Sequence, residues 1–174
     1  RPLRIAMLAH STNPRGGVVH AMQLSEALTA LGHDVVLHAP DSKGNGFFRM
    51  AECGTMPFPV GPTVSDMTAM VEQRIADYVR HFEKPEARAF DVFHAHDGIS
   101  GNAMAVLKQR GFIRRYARTV HHVDQFADPR LMELQDRSID EAALFFTVSA
   151  TWQHYLEGKG KSASVVGNGV DTAR

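Results

Sequence analysis

Cysteine is almost missing from this 174-residue chain, which contains only Cys53. A single cysteine excludes an internal disulfide and any metal site built from several cysteines. We interpret Cys53 as a small apolar filler of the core rather than as a nucleophile.

A surplus of either charge is also lacking, since 19 Lys and Arg residues balance 19 Asp and Glu residues. No global field therefore draws the domain to nucleic acid, and only a local basic patch could do so. No apolar run approaches the ~20 residues needed to span a bilayer. The first residues, 1–4, show no signal-peptide pattern. We expect a cytoplasmic protein, and a peripheral contact with the inner membrane face stays open as a partner interaction.

What the chain does contain is an alternation of short apolar segments and amphipathic ones. Leu3 to Ala9 is a nearly continuous apolar run, which is typical of a strand buried on both faces. An amphipathic helix from Val18 to Leu31 follows, and Gly32 stands where a helix-ending glycine belongs. Asp34 to Ala39 then forms a second strand. This strand–helix–strand unit predicts parallel strands joined by a right-handed crossover.

The same alternation continues to the end of the chain. Further strands are predicted at Met56–Val60 (an edge strand, because of its prolines), Asp91–Ala95, Tyr116–His122, Ala143–Val148 and Ser164–Val166. Helices are predicted after the capping residue Ser65, from about Ser100 to Gly111, from Asp128-Pro129, and after Ser149. The fold class is therefore α/β, with a doubly wound, mostly parallel Rossmann-like sheet of six or seven strands.

The helix that follows Ser65 carries Arg74 and Arg80 opposite an apolar stripe. Such a pattern fits a helix lying on a membrane surface. A helix that packs on the sheet of its own domain gives the same pattern, and we favour this second interpretation.

The loop after the first strand is a candidate phosphate site, because ligands of doubly wound sheets bind beyond the carboxyl ends of the strands. Gly16 and Gly17 open the following helix, so an anion could approach backbone N–H groups without meeting a Cβ. Arg15 could add a full positive charge. The loop departs from the G-x-G-x-x-G dinucleotide fingerprint, and a tight turn without a ligand is the alternative.

Histidines and aspartates follow the next strands, in the segments His94-Ala-His96-Asp97 and His121-His122-Val123-Asp124. His94 and His96 share one face of their strand, whereas His121 and His122 point in opposite directions. Such a set could bind a metal ion, and it could equally hydrogen-bond a sugar. We expect the remaining histidines to be structural or solvated; they are His20, His33, His38, His81 and His154.

The order of the motifs resembles the N-terminal domain of family 4 glycosyltransferases. The similar segments are N-P-R-G-G-V after the first strand, L-G-H-D-V-x-L, D-V-F-H-A-H-D, T-V-H, F-T-V-S and V-V-G-N-G-V-D. This resemblance implies the GT-B architecture, in which two Rossmann-like domains face each other across a cleft. It also implies retaining transfer of a sugar from a nucleotide-diphosphate donor, with that donor as co-substrate, no other cofactor and no bound metal.

The resemblance assigns roles by position. Gly16 and Gly17, with Arg15, would bind the donor diphosphate. His121 would be the catalytic residue at the reacting sugar. The acceptor and sugar side would comprise His96, Asp97 and Ser149.

The resemblance also divides the chain. Residues 1–166 would be the acceptor-side domain, and residues 167–174 would begin the hinge to a C-terminal donor-binding domain. The family's donor-binding cations and paired glutamates belong to that second domain, so we expect the isolated chain to be inactive. The expected partners are a nucleotide-sugar donor, a sugar, lipid or small-molecule acceptor, and the second domain, but no nucleic acid.

Two other functions stay open from the sequence. The first is a metal-dependent hydrolase that uses His94, His96, His121 and Asp124. The second is a non-catalytic nucleotide-binding module. The metal content of the purified protein separates the hydrolase from the transferase, and tight binding of a free nucleoside diphosphate would favour the module.

Overall fold

A single parallel sheet organises the chain in the computed structural model, which describes residues 1–167. Within that range the sheet has seven strands in the order β3-β2-β1-β4-β5-β6-β7. The strands are β1 Arg4–Leu8, β2 Asp34–Asp41, β3 Gly54–Pro59, β4 Val92–Ala95, β5 Ala117–Val120, β6 Leu144–Thr147 and β7 Ala163–Val165. The helices are α1 Gly16–Ala30, α2 Met67–Phe82, α3 Gly98–Gln109, α4 Pro129–Asp140 and α5 Ala150–Gly158, with a 3₁₀ turn at Pro85–Arg88. The predicted doubly wound α/β class is confirmed, and every pairing is parallel.

The apolar first strand lies between two cores. Ile5 and Met7 belong to the core on one face of the sheet, whereas Ala6 and Leu8 belong to the core on the other face. Both cores take residues from β1 because side chains alternate along a strand. The prediction of a strand buried on both faces is therefore confirmed.

The order of the strands reverses at β1. From β1 the chain builds outward to β2 and β3 on one side, and then returns to add β4 on the other side. The backbone N–H of His96 donates to the carbonyl of Leu8 at 3.1 Å, so the ends of β4 and β1 stay together just beyond the sheet. This topological switch point is where doubly wound sheets bind ligands.

Capping aspartates set the beginnings of three helices. The prediction of Ser65 as the cap of α2 is wrong by one residue, since Asp66 accepts from the Ala69 N–H at 2.9 Å. Asp97 caps α3 by accepting from the Ser100 N–H at 2.8 Å, so that helix begins two residues before the predicted Ser100. The predicted cap at Asp128 is confirmed. A charged carboxylate is a strong acceptor for helix N–H groups, which explains these positions.

Helix α2 packs on the sheet as the favoured interpretation requires. Ile75, Tyr78 and Phe82 are buried in one of the two cores. Arg74 is buried as well, and it donates to the Gly61 carbonyl and to the Asp77 carboxylate, each at 2.9 Å. Among the described residues, no helix combines the length and apolar character needed to cross a membrane.

Candidate functional site

A cavity of about 350 Å³ lies at the switch point, above the carboxyl ends of β4 and β5. It brings together residues from both sequence segments that carried the histidines. Its lining includes His10, Gly17, His96, Asp97, Arg118, His121, His122, Asp124, Asn102 and Gln135. The predicted convergence of the strand ends on one site is therefore present in the fold.

Three histidines from different elements form a cluster beside this cavity, which we call the histidine cluster (His20, His96 and His121). Nδ1 of His96 lies 3.2 Å from Nε2 of His121. The ring of His20 stands edge-on to that of His121, with the ring centres 4.8 Å apart. The ligand nitrogens of the three rings lie within 4.8 Å of one another, close enough to converge on one metal ion.

The interpretation of His20 as merely structural missed its place in this cluster. His20 follows Gly17 by three residues on α1, and residues three apart share one face of a helix. Gly17 itself borders His121: a Cβ at position 17 would lie 3.6 Å from Cδ2 of that ring. The spacing from the glycine pair was the signal that could have identified His20.

The protons of the cluster follow from its contacts. Nε2 of His96 lies 2.9 Å from Sδ of Met7. Because a thioether has no proton to donate, Nε2 of His96 is the donor. Burial, together with neighbouring positive groups, holds the pKa of His96 well below its usual value. The ring is therefore neutral at pH 7, and its Nδ1 accepts from Nε2–H of His121.

His121 is neutral as well. Burial first, then His20 and Arg118, lower its pKa to about 4. Since its Nε2 carries the proton donated to His96, its Nδ1 keeps a free lone pair. Among the described residues no hydrogen bond reaches Nδ1 of His121, so this atom offers a hydrogen-bond acceptor.

Asp97 and His10 form an ionic contact at the rim of the cavity. Oδ2 of Asp97 lies 3.7 Å from Nδ1 of His10. Burial lowers the pKa of His10, but the Asp97 carboxylate outweighs burial and raises it overall. Burial would raise the pKa of Asp97, but His10, the Ser100 N–H and Arg118 reverse this effect and lower it. Asp97 is thus held as a carboxylate at the start of α3.

The glycine pair starts α1 without constraint from the rest of the protein. Neither Gly16 nor Gly17 has a positive φ. A Cβ at Gly16 would meet nothing within 4 Å, and one at Gly17 would make only ordinary contacts. Arg15, the N-cap residue, is exposed and its side chain makes no capping hydrogen bond. The fold therefore does not require glycine at either position.

The four residues of the hydrolase hypothesis do not act as one set. Nε2 of His94 is 2.6 Å from Oγ1 of Thr119, so its hydrogen bond goes to the strand beside it. Asp124 lies 2.6 Å from Nε2 of His122, outside the histidine cluster. His121 faces the cluster while His122 is exposed, as strand alternation predicts.

Ser149 has a local role in the structure. Its hydroxyl caps α5 by accepting from the Trp152 N–H at 3.4 Å, as predicted, and the residue is not part of the cavity lining. Of the predicted hinge at residues 167–174, positions 168–174 lie outside the described residues. Arg118 lines the cavity, but it was not among the site residues predicted from the sequence.

Solved structures share this architecture. Sucrose-phosphate synthase from Thermosynechococcus elongatus matches 98% of the chain with 21% identity and a TM-score of 0.78. Arabidopsis thaliana UGT89C1, solved with UDP-L-rhamnose, matches 99% with 10% identity and a TM-score of 0.66. UDP-N-acetylglucosamine 2-epimerase from Rickettsia bellii matches 97% with 12% identity and a TM-score of 0.63. The chain covers 49%, 50% and 45% of these proteins, or about half of each.

The all-parallel sheet with a cavity at its switch point is thus one Rossmann-like half of a GT-B architecture. The family model of the glycosyl transferase 4-like domain matches residues 15–169. The chain belongs to this family, which confirms the resemblance seen in the sequence motifs. No curated protein matches the sequence.

Proposed function

We propose that this chain is the acceptor-side half of a retaining glycosyltransferase, which moves a sugar from a nucleotide-diphosphate donor to an acceptor hydroxyl. Membership of the glycosyl transferase 4-like family supports the reaction class. The complex of the Arabidopsis protein with UDP-L-rhamnose supports a nucleotide sugar as the donor for this fold. The remaining support comes from the geometry of the cavity.

The contact of Gly17 with His121 is the observation that carries the proposal. In a nucleotide sugar, one bond joins the diphosphate to the reacting carbon of the sugar. A site for this donor therefore needs an anion-binding feature and a sugar-binding feature side by side. The start of α1 and the ring of His121 meet this need, because a Cβ at Gly17 would already touch that ring at 3.6 Å.

The start of α1 would stabilise the leaving diphosphate. Free backbone N–H groups and the positive end of the helix dipole attract negative charge as it develops. The first turn holds no acidic residue that would oppose it. Exposed Arg15 adds a cation at the N-cap. A second domain would supply further cations from across the cleft, and closure of the two domains would exclude water.

His121 would hold the sugar rather than take a proton from it. With a pKa of about 4, its neutral ring is a weak base at pH 7. The free lone pair of Nδ1 can accept a hydrogen bond from a sugar hydroxyl. His96 would position His121 through the 3.2 Å hydrogen bond between the two rings. Asp97, which lines the cavity, belongs to the acceptor wall in this proposal.

The proposed reaction needs the nucleotide-sugar donor and the acceptor, and no other cofactor or resident metal is invoked. Both nitrogens of His96 already have partners, Met7 and His121, so the hydrogen bonds of this ring are satisfied without a metal ion. Metal analysis of the purified protein tests this part of the proposal. Stoichiometric zinc or manganese would support the hydrolase alternative instead.

The test of the function compares two forms of the protein. The full-length protein and residues 1–174 are each assayed with a panel of nucleotide sugars and acceptors, and the release of nucleoside diphosphate is measured. We expect turnover from the full-length protein and none from residues 1–174. Robust turnover by residues 1–174 would contradict the proposal that catalysis requires a second, donor-binding domain. Tight binding of free nucleoside diphosphate by residues 1–174, without turnover by either form, would favour the nucleotide-binding module.

A further inference from the structure

Arg118 is a buried cation in the wall of the cavity. It lies on β5, and its side chain passes to the face of the sheet opposite His121, between α3 and α4. Only 4% of the residue is exposed. A Cβ on Gly101 of α3 would lie 3.3 Å from Nε of Arg118 and 2.9 Å from Cβ of Ser138 on α4. The glycine on α3 therefore makes room for the guanidinium stem.

The Arg118 guanidinium has an incomplete set of hydrogen bonds among the described residues. Its Nη1 donates to the Thr119 carbonyl, and its Nε has no hydrogen-bond partner among the described residues. Across the part of the chain that the structure describes, no carboxylate forms an ion pair with it. Asp97 interacts with Arg118 electrostatically, but its direct contacts are the Ser100 N–H and His10. Burying a charged group with an unsatisfied donor is destabilising, so such a group in a cavity wall is a candidate for binding a ligand.

The two amide side chains of this wall are already engaged. Nδ2 of Asn102 donates to the carbonyls of Gly98 and Leu134, each at 2.7 Å. Nε2 of Gln135 donates to the Asp124 carbonyl at 2.9 Å. His121, on the opposite face of β5, is a neutral ring. Arg118 is therefore the side chain in this wall that combines a full charge with an unused donor.

We propose that Arg118 is an anion subsite of the cavity, and that it binds the phosphate or carboxylate group of an anionic acceptor. The planar fork of a guanidinium matches the oxygens of both groups. The cavity of about 350 Å³ leaves room for such a group beside the sugar-binding ring. The assignment of the ligand as an acceptor rests on the proposed function, whereas the binding of an anion by Arg118 does not.

The experiment follows the Arg118 side chain directly in isotope-labelled residues 1–174. Inorganic phosphate and acetate are titrated separately, and the Nε–H resonance of Arg118 is recorded by NMR. We expect a saturable shift in the millimolar range, and the anion that saturates first distinguishes phosphate from carboxylate recognition. The absence of any saturable shift with either anion would overturn the proposal. This readout needs no variant, so it does not depend on whether a substituted chain folds.

Substitutions then locate the site. Arg118→Met should weaken binding about 30-fold or more, because it removes one partner of a buried ionic contact. Arg118→Lys keeps the charge but not the fork, so it should bind with intermediate strength. The control is Arg130→Gln, since Arg130 is half-exposed and paired with Glu72 and Glu133. Equal binding by Arg118→Met and the unsubstituted chain would place the anion elsewhere and refute the proposal.

The role of the anion is tested in the full-length protein. A phosphorylated or carboxylated acceptor should give a higher kcat/KM than its uncharged counterpart, and Arg118→Lys should reduce that preference. Anion binding at Arg118 without any sugar transfer would overturn the proposed function and leave the subsite intact. Sugar transfer that favours uncharged acceptors would overturn the assignment of the anion to the acceptor.

Discussion

The hydrogen bond between His96 and His121 decides what each ring can do. Met7 fixes the proton on Nε2 of His96, and His96 in turn fixes the proton on Nε2 of His121. Both rings are kept neutral by burial and by nearby positive groups. The site is therefore a series of hydrogen bonds between neutral groups, from Met7 through His96 to His121, and it ends at the lone pair on Nδ1 of His121.

His121→Ala should lower kcat of the full-length enzyme by about 100-fold, the order expected when one positioned hydrogen bond to a reacting group is removed. The thermal midpoint should change little, because His121 is only half-buried. His154→Ala is the control, since His154 is exposed and far along the chain on α5. Equal kcat values for His121→Ala and His154→Ala would contradict the proposed role of His121.

Only part of this residue-level picture could be predicted from the sequence. His96, Asp97 and His121 stood out because they follow strands, and strand ends gather at one edge of a parallel sheet. Arg118 was hidden inside a strand, where charged residues give no ligand signal. His20 lay within a helix, and its meeting with His121 depends on the packing of α1 against the sheet. Tertiary packing sets such contacts between residues of different elements, so the sequence pattern does not predict them.

Helix α1 links the two halves of the proposed donor site. Its N-terminus carries the glycine pair, and its next turn places His20 against His121. The helix is held to the sheet by buried Val18, Ala21 and Met22 in one core. Because both features are on the same helix, a shift of α1 would move the proposed anion-binding end and His20 together.

Gly17→Ala should separate stability from activity. The new Cβ makes ordinary contacts at 3.6 Å or more, and alanine is favoured over glycine in helices by roughly 0.5–1 kcal/mol. The free energy of unfolding should therefore be unchanged or slightly higher. The KM for the donor should nevertheless rise, because the methyl group occupies the approach to the N–H groups.

Gly158→Ala is the matched control for this change, since position 158 is in α5 and a Cβ there meets nothing within 4 Å. Denaturant unfolding and donor kinetics are measured for both variants. An unchanged donor KM in Gly17→Ala would argue against a phosphate at the start of α1.

The elements themselves were largely predictable. Alternating apolar and amphipathic segments specified the strands and helices, and glycines or capping residues marked several of their ends. The shift of the α2 cap from Ser65 to Asp66, and of the α3 start from Ser100 to Gly98, reflects competition between neighbouring capping residues. Small differences in how strongly each capping side chain accepts a hydrogen bond decide that competition. The periodicity of apolar residues carries no information on these differences.

Buried histidines give the whole molecule a common response to acid. The pKa is lowered in five of them: to about 3 in His38 and His94, to about 4 in His81 and His121, and well below its usual value in His96. In each case burial is the first cause. A lowered pKa means that the folded form binds fewer protons than the unfolded form, so acid favours unfolding.

The stability of residues 1–174 should therefore be highest above pH 6.5 and fall as the pH decreases from 6.5 towards 4. Each such histidine contributes up to about 1.4 kcal/mol per pH unit to that slope. His10, whose pKa is raised, works in the opposite direction: its contribution is present below pH 6.5 and is lost as the pH rises. Denaturant unfolding at several pH values measures the net slope.

His38→Phe should reduce the acid slope by the share of one histidine, because His38 is buried among Phe82, Phe90 and His81. The exposed His154→Phe should leave the slope as it was. A stability that does not depend on pH between 6.5 and 4 would show that the buried rings take up protons in the folded state.

At the scale of the whole protein, the fold class could be predicted from the sequence, whereas the acceptor could not. The alternation of strands and helices predicts the doubly wound sheet, and the family match confirms the class. In the proposed function, the acceptor would be selected by the shape and charge of the cavity. Those depend on residues such as Arg118, which the sheet and helices bring together from separate segments.

The stereochemistry of the first product tests the central claim most directly. The full-length protein is supplied with a nucleotide sugar and an acceptor, and the anomeric configuration of the product is read by NMR before it can equilibrate. The account predicts that the product keeps the configuration of the donor, with the sugar on an acceptor hydroxyl. An inverted product, or transfer of the sugar to water alone, would contradict it.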